Sequence, residues 1–391
     1  MLRRAEAMRA ALRSRQQSCE AAGRIPEETH RDFLKAGFYR ILQPRRYGGY
    51  EFSIPDLVRL LIEVSRGCID SGWVLSLIAA QPAVVLCLFP ERTQREVYGD
   101  SGDCRVAAVV AAGGSATITT AGYRVAGQWD YCTGCDIATH FLGTAVLLHP
   151  LTGASYGTAC VLLNRNQFGI VDNWDMIGMQ GTGSRRVVAG DLTIPAHRVL
   201  PLTGSQWREP GPQPGHEVHT NPLYHGSPLT VAEFALNAVA IGAARGALDA
   251  FEDILRKKWT LPPYPARFEM PEFQQTFGTA QALVDAAEAA LIGLAERCSD
   301  GCRTVHELAD APAEAGFRRI HRAGAQCMEM AWQATDLMFR SAGSSAGSQQ
   351  SPLGRCFRGL AVLRTHIAAQ YDHKSVNVAR LHFGLPPIST I

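Results

Sequence analysis

The chain has 391 residues, of which 46% are hydrophobic and 19% charged; this composition excludes a largely disordered protein and suits two or three packed units. It carries 38 Lys and Arg against 36 Asp and Glu, a balance that favours neither nucleic acid nor a charged membrane surface as a partner. We see no run of about 18 uncharged apolar residues that would mark a membrane span. We therefore expect a cytoplasmic protein whose 11 cysteines are reduced thiols. The pairs Cys132/Cys135 and Cys298/Cys302 are spaced too loosely for zinc, so no metal site is expected.

The first region, residues 1–105, has the pattern of a helical domain. One helix begins near Leu12, and another begins at Pro26, because proline suits a first turn and acids favour the positive helix end. A further helix follows Pro55. The stretch from Gly72 to Phe89 is apolar nearly all round, which predicts a helix buried inside the protein.

The second region, residues 106–225, has the pattern of a β-domain with an exit linker. Short runs rich in Val, Thr, Ile and Tyr alternate with turn residues, which predicts an antiparallel barrel or sandwich. The linker, from Trp207 to Pro228, is rich in Pro, Gly and His. The predicted strands are Arg105–Ala112, Ala116–Thr120, Tyr123–Tyr131, His140–His149, Gly157–Leu163 and Val187–Ile194.

The third region, residues 226–391, returns to apolar residues at three- and four-residue spacing. Four long segments with short connections predict a four-helix bundle. The overall expectation is an α+β protein, mostly α, in the order helical domain, β-domain, bundle. The predicted bundle helices are Val231–Leu255, Pro271–Arg297, Ala311–Ser341 and Pro352–Phe383.

Two loops of the β-domain have residues suited to a ligand. A strand containing Trp129 ends in the turn Thr133-Gly134, which offers a hydroxyl and backbone N–H groups. Later, Gly178 to Ser184 combines glycines that admit a close backbone approach with the hydroxyls of Thr182 and Ser184. Taken alone, each loop is equally typical of an ordinary turn.

Two segments of the bundle have the same character. Phe339 to Ala346 contains small residues, including Gly343, between two predicted helices. On a continuous last helix, His366, Gln370 and His373 would stand at i, i+4 and i+7 and share one face. A lone histidine there would more often be a satisfied core residue, whereas a polar stripe favours a ligand site.

In this order, these segments resemble the acyl-CoA dehydrogenase superfamily. The start of the chain, Gly23–Glu28 and Ala36–Gly49, is similar to the start of those flavoproteins. More narrowly, the chain resembles the flavin-dependent monooxygenase branch, which includes p-hydroxyphenylacetate hydroxylase and dibenzothiophene monooxygenase. The segments that carry this narrower resemblance are Ser71–Trp73, Trp129–Gly134, Gly181–Ser184, Pro352–Arg358 and Arg364–His366.

The resemblance implies a two-component oxygenase with an acyl-CoA dehydrogenase-like fold. A separate NAD(P)H-dependent flavin reductase would supply FMNH2 or FADH2, and O2 would add at the flavin C4a carbon to hydroxylate a small substrate, either an aromatic or phenolic compound or a natural-product intermediate. The branch also implies a homotetramer. The implied catalytic residues are His366 and Thr133. The implied flavin-binding residues are Trp129, Thr133, Gly134, Thr182, Gly183, Ser184, Arg267, Phe339 and Gly343, and the implied substrate-binding residues are Trp73, Gln81, Gln370 and His373.

Three alternatives stay open at this point. One is N-hydroxylation of an amine, such as an amino sugar. A second is an acyl-CoA dehydrogenase, which needs a carboxylate base; Ser344–Gly347 stands where the usual Tyr-Glu-Gly is expected, and Glu233 is one residue away from the alternative position. The third is a CoA-binding scaffold without catalysis. The chain also departs from the branch at Thr133, Gln180 and Gly359.

Overall fold

The protein is described here as a computed structural model that covers residues 1–202, 213–257, 265–305 and 313–388, without the side chains of Gln81 and residues 300–319. The chain begins with helices, as predicted. A capping box, in which Ser53 and Asp56 bond to each other's backbone, starts the fourth of them. These helices are α1 Leu2–Ser14, α2 Gln16–Ala22, α3 Glu27–Ala36, α4 Ile54–Gly67, α5 Ile69–Ala79, α6 Gln81–Leu86 and α7 Glu91–Tyr98.

The apolar stretch from Gly72 to Phe89 is buried as predicted, but it forms two helices instead of one. The backbone breaks at Ala80, with φ −100° and ψ −90°. Pro82 lies in the first turn of α6. A proline inside a helix would remove a backbone hydrogen bond and clash with the preceding turn, so the helix ends before it.

The middle region is a seven-stranded sheet in the order β5-β6-β2-β1-β3-β4-β7. The predicted strands Arg105–Ala112 and Ala116–Thr120 are one bulged strand, β1. The prediction that all strands pair in antiparallel fashion was wrong, because β1 and β3 pair in parallel. Strand β3 reverses direction after β2 and then pairs on the other edge of β1, which makes the two parallel. The strands are β1 Val106–Thr119, β2 Gly122–Cys132, β3 His140–Leu148, β4 Ser155–Asn164, β5 Gly169–Val171, β6 Arg185–Ile194 and β7 Val199–Leu202.

The last region is a helical bundle, which confirms the predicted fold class. The prediction of one continuous helix over Pro352–Phe383 was wrong. The helix that begins at Pro352 ends at Leu363, and a short 3-10 helix over residues 367–369 separates it from the next helix. His366 has extended backbone, and its ring accepts a hydrogen bond from the N–H of Ala368. The bundle helices are α8 Pro228–Lys257, α9 Pro271–Val305, α10 Ala313–Ser341, α11 Pro352–Leu363 and α12 Tyr371–His382.

Helix α8 forms the centre of the molecule. Helices α4, α5, α9, α10 and α11 all pack against it, and α5 also contacts β1. Helix α5 therefore lies where the helical region, the sheet and the bundle meet.

Three segments are long and apolar enough to cross a membrane by length and composition alone. Two of them, Ile69–Leu86 and Pro228–Lys257, are 88% and 83% buried within this fold, whereas Pro271–Ser299 is only 22% buried. The apolar surface of the first two segments is therefore buried in the core, whereas most of the third segment is not covered by the described residues.

Candidate active site

The two ligand-suited loops of the β-domain meet through three buried hydroxyl groups. The Thr133 and Ser184 oxygens are 2.6 Å apart, and those of Ser184 and Thr182 are 2.9 Å apart. Thr182 donates to the carbonyl of Met179 at 2.8 Å. Since a hydroxyl carries one proton, Ser184 donates to Thr182 and Thr133 donates to Ser184. The Thr133 oxygen is left as an acceptor, which suits an N–H donor on a ligand.

An ion pair holds the same two loops together. Arg185, the residue after Ser184, lies 2.7 Å from the Asp136 carboxylate beyond the Thr133 turn. Arg185 also lies 2.7 Å from Asp172 and is mostly buried. The charged side chains thus fix the relative position of the hydroxyl groups.

Close backbone contacts seat these loops on the helices. A Cβ on Gly178 would lie 2.3 Å from the carbonyl oxygen of Arg358 in α11. A Cβ on Gly134, which has φ +78°, would lie 2.7 Å from Ile78 in α5. The turn after β2 and the glycine-rich loop are therefore tightly docked against α5 and α11.

A buried cluster of two thiols and a carboxyl lies under Gly181. The ligand atoms of Cys19, Cys68 and Asp70 are within 4.8 Å of one another, close enough for a metal ion. These groups already form hydrogen bonds within the protein. The Cys19 thiol, for example, donates to the Gly181 carbonyl at 3.5 Å. The Cys19 thiol shares its one proton between the Gly181 carbonyl and the Cys68 sulfur, and the hydrogen bond to Cys68 is the main cause that lowers the pKa of Cys68 to about 7. Burial raises the pKa of Asp70, which favours the neutral form of this carboxyl.

The predicted pair Trp73 and His366 is brought together. The indole of Trp73, in α5, meets the His366 ring edge-on with centroids 5.6 Å apart. Because α12 is a separate helix, Gln370 and His373 do not share a helix face with His366, and both side chains are exposed. The side chain of Gln81 lies outside the described part of the structure.

His366 is suited to donate a hydrogen bond. Its Nδ1 is occupied as the acceptor from Ala368 at 3.2 Å, so the one N–H of the neutral ring lies at Nε2 and can be donated to a ligand. Solvent reaches the ring, yet protein groups surround it, and this desolvation together with the Lys374 charge lowers the pKa of His366. The ring is therefore neutral at pH 7 and acts as a hydrogen-bond donor at Nε2.

The predicted flavin-binding residues Arg267, Gly343 and Phe339 form a third group. The Arg267 guanidinium donates to the carbonyl of Ala342 at 2.9 Å and lies beside Gly343. Its Nε is buried without a hydrogen-bond partner in the described residues. The Phe339 ring stacks on Phe357 of α11 with centroids 4.0 Å apart. An arginine with an unused donor is suited to a phosphate.

Trp129 does not join these groups. Its side chain is 1% exposed, donates to the Thr144 carbonyl at 2.8 Å and packs on Phe141 in the core of the sheet. The exposed aromatic at this strand end is Tyr131, which meets Trp174 edge-on. Sequence reasoning missed both residues, although Tyr131 stands two residues before Thr133 in a strand whose side chains alternate in direction.

A buried ion cluster in the bundle was also missed. The Glu233 carboxylate of α8 lies 3.0 Å from Lys374 and 2.5 Å from His321. Burial opposes the ionisation of Glu233, but the two neighbours outweigh it and hold its pKa below the usual value. The spacing of Glu233, His321 and Lys374 in sequence carries no signal, because they come from three different helices.

The geometry fits a flavin. Buried hydroxyls, glycines at positive φ (Gly134 and Gly183) and aromatic side chains lie at strand ends beside α5. A Cβ on Gly183 would lie 2.8 Å from the carbonyl oxygen of Gly23, so a larger residue would disturb the loop. The Thr133 acceptor matches the N–H that a reduced flavin carries at N5.

Two family models match the chain. The model of the N-terminal domain of acyl-CoA dehydrogenases matches residues 3–100, and the model of the C-terminal domain matches residues 234–371. The chain belongs to the acyl-CoA dehydrogenase superfamily. Within this superfamily, the resemblance to the monooxygenase branch is also confirmed, since the curated relatives are named as monooxygenases or hydroxylases.

Two curated relatives illustrate this. The oxygenase subunit HsaA of a flavin-dependent monooxygenase from Rhodococcus jostii is 29% identical and covers 100% of both chains. The oxygenase component of an FADH2-dependent resorcinol hydroxylase from a Rhizobium species is 28% identical over 96% of this chain and 92% of its own. A crystal structure of 3-HSA hydroxylase from Rhodococcus sp. RHA1 superposes with a TM-score of 0.89 at 28% identity, covering 99% of this chain and 97% of that one.

Proposed function

We propose that this chain is the oxygenase component of a two-component flavin-dependent monooxygenase that hydroxylates an aromatic substrate. The observation that carries the proposal is that the Thr133 hydroxyl cluster and the Trp73–His366 pair both border α5, in a chain similar along its whole length to such oxygenase components. When bound, a reduced flavin supplies the electrons that activate O2 for transfer of one oxygen atom. Both FADH2 and FMNH2 are compatible with the groups that line the site.

The residues have distinct roles in this function. Thr133 accepts from the flavin N–H, and Ser184 and Thr182 orient the Thr133 hydroxyl. Trp73 and the buried residues of α5 exclude water from the reacting groups, which protects a reactive oxygen species from premature decay. His366 donates a hydrogen bond from Nε2 to the oxygen of the substrate. Arg267 offers donors to a phosphate of the flavin.

The electrons come from a partner. Relatives are named as an oxygenase subunit or an oxygenase component, which supports a separate reductase. The sequence also lacks a Gly-x-Gly-x-x-Gly fingerprint for a nicotinamide between a strand and a helix. We propose that an NAD(P)H-dependent flavin reductase delivers the reduced flavin by diffusion.

The acyl-CoA dehydrogenase alternative needs a carboxylate base, and Glu233 does not suit this role. Glu233 is the acid considered for that role, and both of its oxygens are engaged by cationic or ring N–H partners. A carboxylate whose pKa is held low by ion pairs is a weak base toward the α-proton of a thioester.

We also propose a homotetramer in the cytoplasm. Support comes from α9, whose outer face carries exposed small residues, including Ala282, Ala286 and Ala290. Such a face can pack closely against a second copy of the chain.

A stopped-flow experiment tests the function. The protein is mixed anaerobically with FADH2 or FMNH2 and then with oxygen. We expect a transient absorbance that outlasts the oxidation of free reduced flavin, and 18O from 18O2 in a hydroxylated aromatic product. Rapid oxidation that matches free flavin, together with reduction of a dye by acyl-CoA, would overturn the proposal in favour of a dehydrogenase.

A further inference from the structure

Gly181 is held from both sides by two buried side chains that have no role in the function described so far. Its N–H donates to the Asp70 carboxyl, and its carbonyl oxygen accepts from the Cys19 thiol at 3.5 Å. A Cβ on Gly181 would lie 2.3 Å from the Cys19 sulfur and 3.0 Å from an Asp70 oxygen, so a larger residue would push the two apart. We call Asp70 and Cys19 the Gly181 clamp.

The turn that the clamp holds has a strained backbone. The 3-10 turn Gln180–Thr182 lies between Met179 at φ +58° and Gly183 at φ +55°. A left-handed backbone is unfavourable for methionine, and such a conformation persists only where the surrounding contacts impose it. Trp174 and Thr182 both donate to the Met179 carbonyl, at 3.1 and 2.8 Å. The clamp adds two hydrogen bonds at the centre of the same turn.

The burial of Asp70 is costly for the fold. Asp70 is 1% exposed, and its Oδ1 has no hydrogen-bond partner in the described part of the chain. A buried acceptor without a donor destabilises a protein. An apolar residue of similar size would avoid this cost, but it would leave the Gly181 N–H without its acceptor.

Both halves of the clamp are anchored to other helices. Glu20, next to Cys19 in α2, lies 2.7 Å from Arg355 of α11, and both of these charged side chains are largely buried. The Cys19 thiol also donates to the sulfur of Cys68, the residue directly before α5. Asp70 lies in the first turn of α5. The clamp is therefore fixed in place, and its position determines that of the turn.

We propose that Asp70 positions the flavin-binding hydroxyl groups through Gly181. Thr182 follows Gly181 directly, and its hydroxyl accepts from Ser184, which accepts from Thr133. A displacement of Gly181 would therefore pass along these hydrogen bonds to the Thr133 oxygen that faces the flavin. Asp70 is thus a positioning residue, and its role rests on the function proposed above, because it acts on the flavin site described there.

Anaerobic ultrafiltration with FADH2 or FMNH2 measures the effect, since it separates bound from free reduced flavin. We expect Asp70→Leu to weaken reduced-flavin binding by about 5- to 150-fold, the range for leaving a buried N–H without an acceptor. Asp70→Asn should retain most of the affinity, because its amide oxygen accepts from the same N–H. Thr335→Val removes a buried hydroxyl that donates to Ala331 within α10, and this matched control should bind like the wild type.

A double-mutant cycle distinguishes positioning from general destabilisation. Thr182→Val removes the hydroxyl next to Gly181 and should itself weaken flavin binding. If Asp70 acts through Thr182, the double variant should lose little more affinity than the weaker-binding single variant, because residues that act through one another are not additive. A double variant whose loss equals the product of the two single losses would overturn the positioning role. Urea titrations of each variant serve as the folding control.

A second variant covers the case in which Asp70→Leu does not fold. Cys19→Ala removes the other half of the clamp, should also weaken reduced-flavin binding, and enters the same cycle with Thr182→Val. Wild-type affinity in the folded clamp variant would overturn the inference. A wild-type protein that binds no reduced flavin would refute the proposed oxygenase function itself. Flavin binding that is equal in the wild type and the clamp variant leaves that function intact and refutes only the role of Asp70.

Discussion

His366 is the residue on which most of the proposed chemistry depends. It stands at a break between two helices, against Trp73, with one ring nitrogen used by the backbone and the other available. A histidine in a regular helix has no such backbone partner fixing its ring. The break therefore orients the ring, and desolvation, together with the nearby Lys374 charge, lowers the pKa of His366 and keeps it neutral.

Replacing His366 by alanine should remove the Nε2 donor and leave the fold intact. We expect product formation to fall by about 10²–10³-fold, the usual range for removing one hydrogen-bond donor from a reacting group. Hydrogen peroxide release per reduced flavin should rise, because oxygen activation continues without productive transfer. The measurement pairs product and peroxide yields, with circular dichroism as the folding control. Full rate and coupling in His366→Ala would show that the ring is only a packing residue.

At the scale of elements, local sequence signals predicted where helices start better than where they end. Pro26 and Pro55 mark helix starts within a few residues of chain, so sequence alone found these starts. The break around His366 contains no proline or glycine, and the strand pairing of β1 with β3 depends on residues far apart. Such features depend on tertiary contacts, which a single sequence does not display.

In the candidate site, too, local sequence predicted some features, whereas others depend on tertiary contacts. The hydroxyl residues Thr133, Thr182 and Ser184 were found because two short loops carry them in recognisable patterns, and the structure joins them. Glu233 was noticed for another role, and Lys374 was missed beside the exposed His373, because a predicted continuous helix gave the wrong face. One error in an element boundary thus moved the expected polar face away from the buried lysine.

The docking of the glycine-rich loop on α11 can be tested with one methyl group. A Cβ at Gly178 would lie 2.3 Å from the Arg358 carbonyl oxygen, a distance that forces the backbone to shift. We expect Gly178→Ala to weaken reduced-flavin binding and to lower the free energy of unfolding by about 1–3 kcal/mol. Gly190→Ala is the matched control, since nothing lies within 4 Å of its added Cβ. Equal binding and stability in both variants would contradict the tight docking.

At the scale of the whole molecule, the outward face of α9 should be an interface between copies of the chain. The wild-type protein should have about four times its 42.4 kDa chain mass by light scattering. Ala286→Arg places a large charge on this face and should reduce the mass, whereas Ala154→Arg makes the same change on an exposed turn and should not. A wild-type mass of one chain at micromolar concentration would contradict the proposal.

Acid should destabilise the protein before its carboxylates are protonated. Desolvation lowers the pKa values of His140 and His219 to about 4, so the folded state holds these rings neutral while the unfolded state protonates them below about pH 6.5. Each such proton costs about 1.4 kcal/mol of stability per pH unit on acidification. Asp70 acts in the opposite direction, because burial raises its pKa and the folded state therefore binds its proton more tightly than the unfolded state does. The two histidines outweigh this single carboxyl.

We therefore expect the free energy of unfolding, from urea titrations, to fall as the pH is lowered from 6.5 to 4.5. His140→Gln removes one titrating ring and should reduce this slope by about one proton, or about 1.4 kcal/mol per pH unit. His149→Gln removes an exposed histidine from the same strand's end and should leave the slope unchanged. A stability that stays level or rises on acidification would show that the buried rings are protonated in the folded state, contrary to the desolvation that surrounds them.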